Sequence, residues 1–518
     1  MYIDKIKLSN YKQFRNLELE FNPKRNILIG ENGAGKSSIL EAISYVLGAS
    51  VRDIENNGLQ TLFNVETIKA YLESDKKYED LPELIVELFI ANNSQYKITG
   101  IHNSDKNIEL SGLKMSIHPN NDYADEIKGT LQNSEVFPFD YYIVEFTTFD
   151  GRTYTSYNRY LRYAAIDSTK ISSTHATQKF IEEYYIKTKN KEERVKLQHQ
   201  FRERSNLFSQ ENLMSGEENG YQLKLRSYKG KALEESLTIQ RNDIDIAHFG
   251  RGDSMFLNID FALSRTKEDT NVILIEEPEN HLSYLNMHRL IDKVDDTEEK
   301  QIFIATHSNM IATRLDLKNA IFISNGSGTK LDNLNKETSR FFQKSPDNNA
   351  LNFILANKVV LVEGNAEYIL LDSFYKHLRK KEMYKEDIAM ISVGGLSFKR
   401  YLELAQKLDK KVVVITDNDK DYKKNIEETY KDYISDSVEV FAPKEKENYT
   451  LEVSIYRCNE EFLNRYLQNP QMRKGTLSFM LSNKAEAAFR ILNILEEKNL
   501  YNEFEIPNHI KKAYTWIN

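Results

Sequence analysis

The stretch Gly30-Glu31-Asn32-Gly33-Ala34-Gly35-Lys36-Ser37 decides the fold of this chain. It fits the phosphate-binding pattern G-x-x-x-x-G-K-[ST] and lies between an apolar run at 27–29 and a helix-like run at 38–43. Its glycines let backbone N–H groups curl around a polyphosphate, and the next helix adds the positive end of its dipole. Lys36 can reach the terminal phosphates, and the Ser37 hydroxyl can ligate Mg²⁺. The stretch predicts a nucleotide-binding α/β domain.

The bulk composition narrows the class of protein. A chain of 518 residues is too long for one hydrophobic core, so two or three domains are expected. We expect a cytoplasmic protein without membrane contact, because no apolar run could cross a bilayer and residues 1–6 lack a signal-peptide core. The single cysteine, Cys458, excludes a disulfide framework within the chain and a Cys-rich zinc site. With a net charge of −8, any contact with nucleic acid must be a local patch.

Strand-like stretches surround the phosphate loop, and residues 51–60 are predicted to be a loop. The predicted strands are residues 6–8, 17–21, 84–90, 96–98 and 141–146. From about residue 171 to residue 218 the chain becomes polar and charged, with sparse apolar residues at helical spacing. This pattern predicts a helical insertion, which is either a solvated helix pair or a dimerisation arm.

Three later blocks add chemistry to the phosphate loop. The segment Gly250-Arg251-Gly252-Asp253-Ser254 opens a helix-like run at 255–263. A buried strand at 271–275 then ends in Glu276 and Glu277, of which the first can hold Mg²⁺ and the second can orient or deprotonate a water. Another apolar strand, at 301–305, is followed by His307. Taken alone, such a histidine is more often a hydrogen-bonded structural residue than a phosphate sensor.

In this order, GENGAGKSS, GRGDS, ILIEEPENHL and IFIATHS resemble the ATPase head shared by ABC, SMC and RecF-like proteins. The resemblance implies that two heads sandwich ATP, and hence a homodimer or a higher homo-oligomer. Glu276 stands where the family usually has Asp, and Asp253 places an acid near phosphate, so the rate of hydrolysis stays open. Ser37 and Glu276 would hold the Mg²⁺. The implied nucleotide-binding residues are Asn32, Gly33, Gly35, Lys36, Ser37, Ser38, Gly250, Gly252, Ser254, Glu276 and His307.

A second α/β unit follows Gly-, Ser- and Asn-rich stretches at 324–328 and 344–349, which are predicted to be linker. Its apolar strands, at 359–362, 390–393 and 412–416, end in acids or glycines. Parallel strands collect ligands at their carboxyl ends, so we expect four acids to converge there: Glu363, Glu367, Asp417 and Asp419. Clustered carboxylates persist only if they bind cations or become protonated. Taken singly, such acids are more often part of a solvated loop, but their joint position at the ends of successive apolar strands favours a metal site.

Oxygen ligands without nearby Cys or paired His favour Mg²⁺, Mn²⁺ or Ca²⁺. The order of the acidic motifs resembles the TOPRIM domain of topoisomerases, primases and OLD-family (overcoming lysogenization defect) nucleases. A RecF-like head followed by TOPRIM is the arrangement of the OLD family, which includes the Gabija nuclease subunit and retron-associated nucleases. The resemblance implies a further metal ligand at Glu452 and an essential lysine at Lys484, although the family's K-G pair is K-A here. On residues alone, Lys484 either neutralises a phosphate or is a surface lysine on a helix.

Basic residues lie between the acidic motifs, at 376–381, 399–400 and 410–411. They either line a phosphate track or form the polar faces of amphipathic helices. No base-reading motif is recognisable, so sequence specificity cannot be argued.

The expected architecture is an ABC/RecF-like P-loop ATPase head with a helical insertion, followed by a TOPRIM α/β domain. The head would comprise residues 1–170 and 219–345, the insertion 171–218, and the TOPRIM domain 346–518. We expect an ATP-regulated, divalent-metal-dependent DNA endonuclease in anti-phage defence, beside a helicase or a reverse transcriptase with its DNA product. Glu363, Glu367, Asp417, Asp419 and Lys484 would be catalytic, with Glu277 serving ATP hydrolysis. The alternatives are a RecF/SMC-like DNA clamp without cleavage and a TOPRIM topoisomerase or primase.

Overall fold

The computed structural model forms two compact units, Met1–Asn26 with Ser37–Thr306 and Ile27–Lys36 with His307–Asn518. Within the described ranges, no helix is long and apolar enough to span a membrane. The structure describes residues 1–92, 96–105, 108–133, 136–168, 178, 181–182, 184–186, 188–212, 225, 232–241, 243–245, 248–264, 270–345, 349–394, 397–467 and 475–518.

The elements alternate between strands and helices along much of the chain. The strands are β1 (Tyr2–Tyr11), β2 (Phe14–Glu20), β3 (Arg25–Ile29), β4 (Leu84–Ala91), β5 (Thr99–Gly100), β6 (Leu110–Pro119), β7 (Tyr142–Thr148), β8 (Tyr163–Asp167), β9 (Gln240–Arg241), β10 (Ile244–Asp245), β11 (Val272–Glu276), β12 (Gln301–Ala305), β13 (Ala320–Ser324), β14 (Ser327–Lys330), β15 (Lys358–Val362), β16 (Ile388–Ser392), β17 (Lys411–Ile415) and β18 (Val438–Phe441). The α-helices are α1 (Lys36–Gly48), α2 (Val51–Asn57), α3 (Val65–Leu72), α4 (Ala124–Asn133), α5 (Lys191–Asn212), α6 (Ala232–Glu235), α7 (Arg251–Ser264), α8 (Tyr284–Asp296), α9 (Asn309–Arg314), α10 (Lys336–Lys344), α11 (Ala350–Leu355), α12 (Asn365–Arg379), α13 (Phe398–Leu408), α14 (Leu451–Cys458), α15 (Glu460–Tyr466), α16 (Thr476–Ser482), α17 (Lys484–Glu497) and α18 (Asn508–Ile517).

An antiparallel sheet in the first unit has the strand order β2-β1-β4-β6-β5, with β7 paired to β6. Strand β1 pairs with β2 on one side and with β4 on the other, and its Ile3, Ile6 and Leu8 are buried. Its pairing with β2 confirms the predicted strand pair, in the register Ile6↔Leu19. The same unit contains the parallel strands β8, β11 and β12. Residues Val272 to Ile275 of β11 are all buried, as expected of a parallel strand covered on both faces.

Two helices of the first unit, one before β11 and one after it along the chain, pack against each other. Helix α7 contacts α8, and an ion pair joins Lys293 to Asp260 between them. The ammonium of the buried Lys300 donates to the carbonyls of Ala262 and Leu263, at 3.0 and 2.6 Å, and so satisfies the C-terminal end of α7.

The predicted helical insertion contains α5, whose apolar Val195, Leu207 and Phe208 are exposed. Most other residues predicted to belong to the insertion, including 171–177 and 213–218, lie outside the described residues. The insertion's boundaries, like the other predicted domain boundaries, remain predictions.

In the second unit, β3 pairs in parallel with β13, and β13 turns back into β14. The predicted linker at 324–328 is therefore wrong, because Ser324 and Ser327 are paired at the end of a β-hairpin. Gly30 comes directly after β3. A Cβ atom at Gly30 would lie 2.5 Å from the carbonyl oxygen of Ile323, so this close approach of two backbones requires glycine.

A four-stranded parallel sheet follows, with the order β16-β15-β17-β18. Helices α12 and α17 pack together, and α18 contacts β17. Their buried side chains form one core that includes Leu370, Phe374, Ile491 and Tyr514. Burying each large apolar side chain of this kind stabilises a fold by about 1.5–3 kcal/mol. The core holds the carboxyl ends of β15 and β17 at a common edge.

Besides the linker at 324–328, two further predictions of local structure are wrong. Residues 51–57 form helix α2 rather than a loop, because the Ser50 hydroxyl accepts a hydrogen bond from the backbone N–H of Asp53 at its start. Residues 96–98 form a 3₁₀ turn, and only Thr99 and Gly100 extend the sheet there.

Candidate active site

The phosphate loop has the backbone geometry that its pattern requires. Gly33 and Gly35 have φ values of 79° and 102°, in the left-handed region that favours glycine. Lys36 is 4% exposed, and its ammonium donates to the carbonyls of Gly30 and Glu31 at 2.9 and 3.0 Å. Asn32 is exposed, so the rim of the loop is open to solvent.

The predicted Mg²⁺ ligand Ser37 lies in the first turn of α1 and is exposed. The hydroxyl of the next residue, Ser38, donates to Oε1 of Gln13 at 3.2 Å, an alternative to a phosphate contact. In the other predicted nucleotide segment, Gly250 precedes α7, while Gly252 and Ser254 lie in its first turn. A Cβ atom at Gly252 would lie 2.2 Å from the carbonyl oxygen of His281. Glycine is thus required where α7 begins.

Paired acids end strand β11 as predicted. Glu276 is the last residue of β11, and Glu277 follows with φ 44° and ψ 54°. This left-handed conformation is costly for a residue with a Cβ, and it is held by a 2.9 Å hydrogen bond from the Glu277 N–H to the carbonyl of Ala305. The nearby Glu279 accepts from the Thr306 hydroxyl at 2.8 Å. His307 follows β12 and is partly buried.

A second group of acids lies at the carboxyl ends of β15 and β17. Glu363 follows β15, Glu367 is in the first turn of α12, and Asp417 follows β17. Glu452 is in the first turn of α14, where the Thr450 hydroxyl caps the helix. Glu367, Asp417 and Glu452 are buried, whereas Asp419 is exposed and has a left-handed φ of 47°. Thus three of the five predicted metal ligands are buried, although buried carboxylates are rare.

Burial and mutual repulsion disfavour the charged forms of these acids. Burial, with the charges of Glu367 and Glu363, raises the pKa of Asp417 to about 8. Burial also raises the pKa of Glu363 and of Glu367. Glu367 has a local role too, since its Oε2 accepts from the Gly364 N–H at 3.1 Å and caps α12. Asp417 therefore needs additional positive charge nearby to remain ionised at neutral pH.

Lys484 supplies part of that charge. Its Nζ lies 3.3 Å from Oε2 of Glu452 and 4.0 Å from Oδ2 of Asp417. Burial lowers the pKa of Lys484, but the charges of Glu452 and Asp417 outweigh this effect and raise it. Lys484 is exposed at the start of α17, yet its ammonium is directed toward two of the acids.

The donor set fits a hard divalent cation, since it is built of carboxylate oxygens. Oε1 of Glu452 is fully buried and accepts no hydrogen bond within the described part of the chain. In the described ranges, however, no three Asp, Glu, His or Cys side chains are arranged so that they could already hold a metal ion. The expected convergence of the acids is therefore incomplete. In the described residues the acids interact electrostatically with Lys484, but they are not yet arranged to coordinate a metal ion.

Sequence reasoning missed Asn418, which anchors the loop between the two aspartates. It is fully buried, and its side-chain N–H₂ group donates to the carbonyls of Pro443 and Glu445 at 2.8 and 2.9 Å. Its Oδ1 accepts from the Lys420 N–H at 2.8 Å. Asn418 thereby positions Asp417 and Asp419. The only local signal was the tolerance of Asn for turns.

Tyr430 was also missed. It is buried, and burial together with the charges of Glu363 and Asp419 raises its pKa to about 12. It is therefore a neutral phenol beside the acids at physiological pH. Nothing in the sequence around Tyr430 distinguishes it from the other 29 of the chain's 30 tyrosines.

Several of the basic residues between the acidic motifs have partners within the chain. Lys376 pairs with Glu382 and Lys381 pairs with Glu386, each at 3.2 Å. Both lysines lie near the C-terminal end of α12, whereas Glu363 and Glu367 lie near its N-terminal end. Lys410 is buried, and its ammonium donates to the carbonyl of Ala356 at 2.5 Å. Lys376 and Lys381 are thus in ion pairs and Lys410 is buried, and both interpretations of the basic residues remain predictions.

Comparison with known families is consistent with this geometry. Residues 1–312 match the family described as AAA ATPase domain, which is more than half of the chain. Residues 354–419 match the family described as Overcoming lysogenization defect protein-like, TOPRIM domain. The chain belongs to the AAA ATPase domain family and carries an OLD-like TOPRIM domain. The expected resemblance and fold class, an ATPase head followed by a C-terminal TOPRIM domain with a parallel sheet, are confirmed.

Curated relatives match only a short segment. The DNA replication and repair protein RecF of Alkaliphilus oremlandii is 33% identical over 72 residues, which are 14% of this chain and 19% of RecF. RecF of Lysinibacillus sphaericus is 51% identical over 47 residues, which are 9% of this chain and 12% of RecF. The chain thus spans less than a fifth of the length of these relatives.

Solved structures are similar at low identity. The SMC head domain of Thermotoga maritima is 15% identical, covering 63% of this chain and 97% of its own, with a TM-score of 0.29. The C-terminal region of the Burkholderia pseudomallei OLD protein is 17% identical, covering 31% of this chain and 97% of its own, with a TM-score of 0.24. At these TM-scores neither superposition carries an argument. The ATPase domain implies nucleotide binding, and the TOPRIM domain implies a divalent metal.

Proposed function

We propose that this protein is an ATP-regulated, divalent-metal-dependent DNA endonuclease that cleaves phosphodiesters at its TOPRIM domain and acts in anti-phage defence. The observation that carries the proposal is the group of buried acids around Lys484 at the carboxyl ends of β15 and β17. A site for binding DNA alone has no use for buried carboxylates, which repel phosphate.

Glu363, Glu367, Asp417, Asp419 and Glu452 would hold Mg²⁺ or Mn²⁺, with Ca²⁺ as a further ion for the same oxygen donors. Such ions stabilise the attacking and leaving oxygens of an in-line displacement. Lys484 is the cationic side chain at the acids and would neutralise a non-bridging oxygen of the scissile phosphate. Asn418 keeps the aspartates in place through its contacts with the 443–445 segment.

ATP binding would regulate cleavage of DNA. The phosphate loop, with Ser37 and Glu276 on Mg²⁺ and Glu277 on the attacking water, would bind and hydrolyse the nucleotide. His307, Ser38 and the segment from Gly250 to Ser254 would complete the nucleotide site. Pairing of two heads across ATP would favour one arrangement of the protein over others and thereby change access to the acids. A helicase, or a reverse transcriptase with its DNA product, would be the defence partner.

The test is incubation of the purified protein with supercoiled plasmid and each divalent metal, with and without ATP. Nicked or linear product that disappears in Asp417→Ala, while ATP binding is retained, supports the proposal. Cleavage that persists in Asp417→Ala contradicts it. DNA binding without cleavage would favour a clamp, and relaxed closed circles would favour a topoisomerase.

A further inference from the structure

A cleft of about 590 Å³ opens beside the acidic group in the second unit. It lies against the edge strand β16, helix α11 and the first turn of α12. The polar and aromatic side chains that line it are Glu31, Asn349, Asn352, Asn365, Tyr368 and Ser392. No predicted metal or nucleotide ligand is among its described lining residues.

The cleft is next to the acids along the backbone and across the sheet. Ser392 pairs with Val362, the residue before Glu363. The pairing continues to Gly394, whose N–H donates to the carbonyl of Glu363 at 3.1 Å. Adjacent strands lie about 4.8 Å apart. Asn365 comes two residues after Glu363, and Tyr368 is the residue after Glu367. The cleft is therefore one strand away from Glu363 at the same end of the sheet.

The chemistry of the lining selects a nucleobase over a phosphate. Among the described lining residues there is no Lys or Arg that could bind a phosphate, and the charge of Glu31 is accompanied by that of Lys410, whose ammonium donates to the carbonyl of Ala356. Three asparagine amides offer both donors and acceptors, which suit the edges of bases. Tyr368 is 52% exposed, so one face of its ring is accessible to a ligand in the cleft. Aromatic rings in this setting stack with bases of single-stranded nucleic acid.

We propose that this cleft takes one unpaired base of a DNA strand whose neighbouring phosphate lies at the acidic group, with the base stacked on the ring of Tyr368. The inference rests on the proposed function for its substrate class. It adds that the strand is single or locally unpaired at this position, because a base within a duplex has no free face for Tyr368. The carboxylate of Glu31 accepts from an exocyclic amino group, which favours A, C or G over T.

The experiment measures binding of a fluorescein-labelled single-stranded oligonucleotide to the full chain by anisotropy, at fixed salt and with Ca²⁺ present. Tyr368→Ala is expected to weaken binding at least about fivefold, the lower range for loss of one stacked base. Tyr368→Phe keeps the ring and is expected to bind like the wild type. Tyr384→Ala is the matched control, since Tyr384 is also an exposed tyrosine of the same domain, at 69% exposure, and does not line the cleft.

Unchanged binding by Tyr368→Ala, equal losses in Tyr368→Ala and Tyr384→Ala, or no oligonucleotide binding by the wild type would each overturn the inference. So would a loss of ATP affinity in Tyr368→Ala without a loss of oligonucleotide affinity, because the base would then belong to a free nucleotide. The readout is independent of cleavage. Base stacking without plasmid cleavage would contradict the proposed function alone, and cleavage with no role for Tyr368 would contradict this inference alone.

Discussion

Single residues decide whether the two acidic groups can work. Burial raises the pKa of Asp417, Glu363 and Glu367, and the ammonium of Lys484 offsets part of the cost of ionising them. At the end of β11, Glu277 is held in a left-handed conformation that most residues avoid. Around Asp417 and at Glu277, the structure is locally less stable at positions where catalytic residues are expected.

Asn418→Ala is expected to lower stability by about 2–4 kcal/mol, because it deletes one buried and two partly buried hydrogen bonds and removes the side-chain partner of two carbonyls. Plasmid cleavage should fall with it as Asp417 and Asp419 lose their fixed positions. Chemical denaturation followed by circular dichroism measures the first effect. Asn425→Ala is the control in the same segment, since that side chain makes one hydrogen bond, to the Asn418 carbonyl, and should cost about 1 kcal/mol or less. Equal losses in the two variants would refute the anchor role.

Glu277→Gly is expected to be about 1 kcal/mol more stable than Glu277→Ala, since glycine adopts φ 44° without strain and alanine does not. Both variants should lose ATP hydrolysis, because neither has a carboxylate. Melting temperatures and phosphate release measure the two effects. The opposite order of stability would show that the backbone relaxes when the side chain is removed.

At the scale of elements, the start of α7 is fixed by one backbone contact. Gly252→Ala would place a Cβ atom 2.2 Å from the carbonyl oxygen of His281, so the helix or the loop must move, at a cost of about 1–3 kcal/mol. Hydrogen exchange across residues 251–264 should report faster opening. Gly250→Ala is the matched control for stability, since a Cβ atom there meets nothing within 4 Å. Equal exchange in both variants would rule out the contact.

Sequence patterns predicted the elements whose buried side chains form a regular apolar pattern. The apolar runs of β11, β12, β15 and β17 are unambiguous because parallel strands are buried on both faces. Helix α2 was missed because only Ile54 of its seven residues is buried, so it has no apolar face, and its stability depends on the Ser50 cap. The hairpin of β13 and β14 was missed because its turn has linker-like composition.

The candidate site was predictable only as far as it is local in sequence. The acids follow apolar strands, so Glu363 and Asp417 were identifiable. Asn418 and Tyr430 act through contacts with distant segments or acids, as in the hydrogen bonds from Asn418 to residues 25 and 27 positions away. Such contacts leave no periodic signal along the chain.

At the scale of the whole molecule, the expected homodimer can be tested directly. Glu277→Gln should bind ATP without hydrolysing it, and light scattering after gel filtration should then show twice the mass seen without nucleotide. Ser254→Arg added to that variant should restore the monomer mass, because a bulky side chain would enter the nucleotide contact of the opposite head. A mass that does not respond to ATP would contradict pairing through the heads. It would leave α5 as the candidate dimerisation element.

The hydrogen bonds of Lys36 have a consequence for which nucleotides can enter. Its ammonium already has two acceptors, the carbonyls of Gly30 and Glu31. A ligand that binds Lys36 must therefore replace these two hydrogen bonds with its own. The loop loses the contacts between Lys36 and its own carbonyls. A nucleoside monophosphate has a single phosphate to offer in that exchange, whereas a triphosphate reaches the ammonium with its outer oxygens and fills the loop with the rest. We therefore expect the loop to select nucleotides by the length of their phosphate chain, through competition for Lys36 rather than through shape.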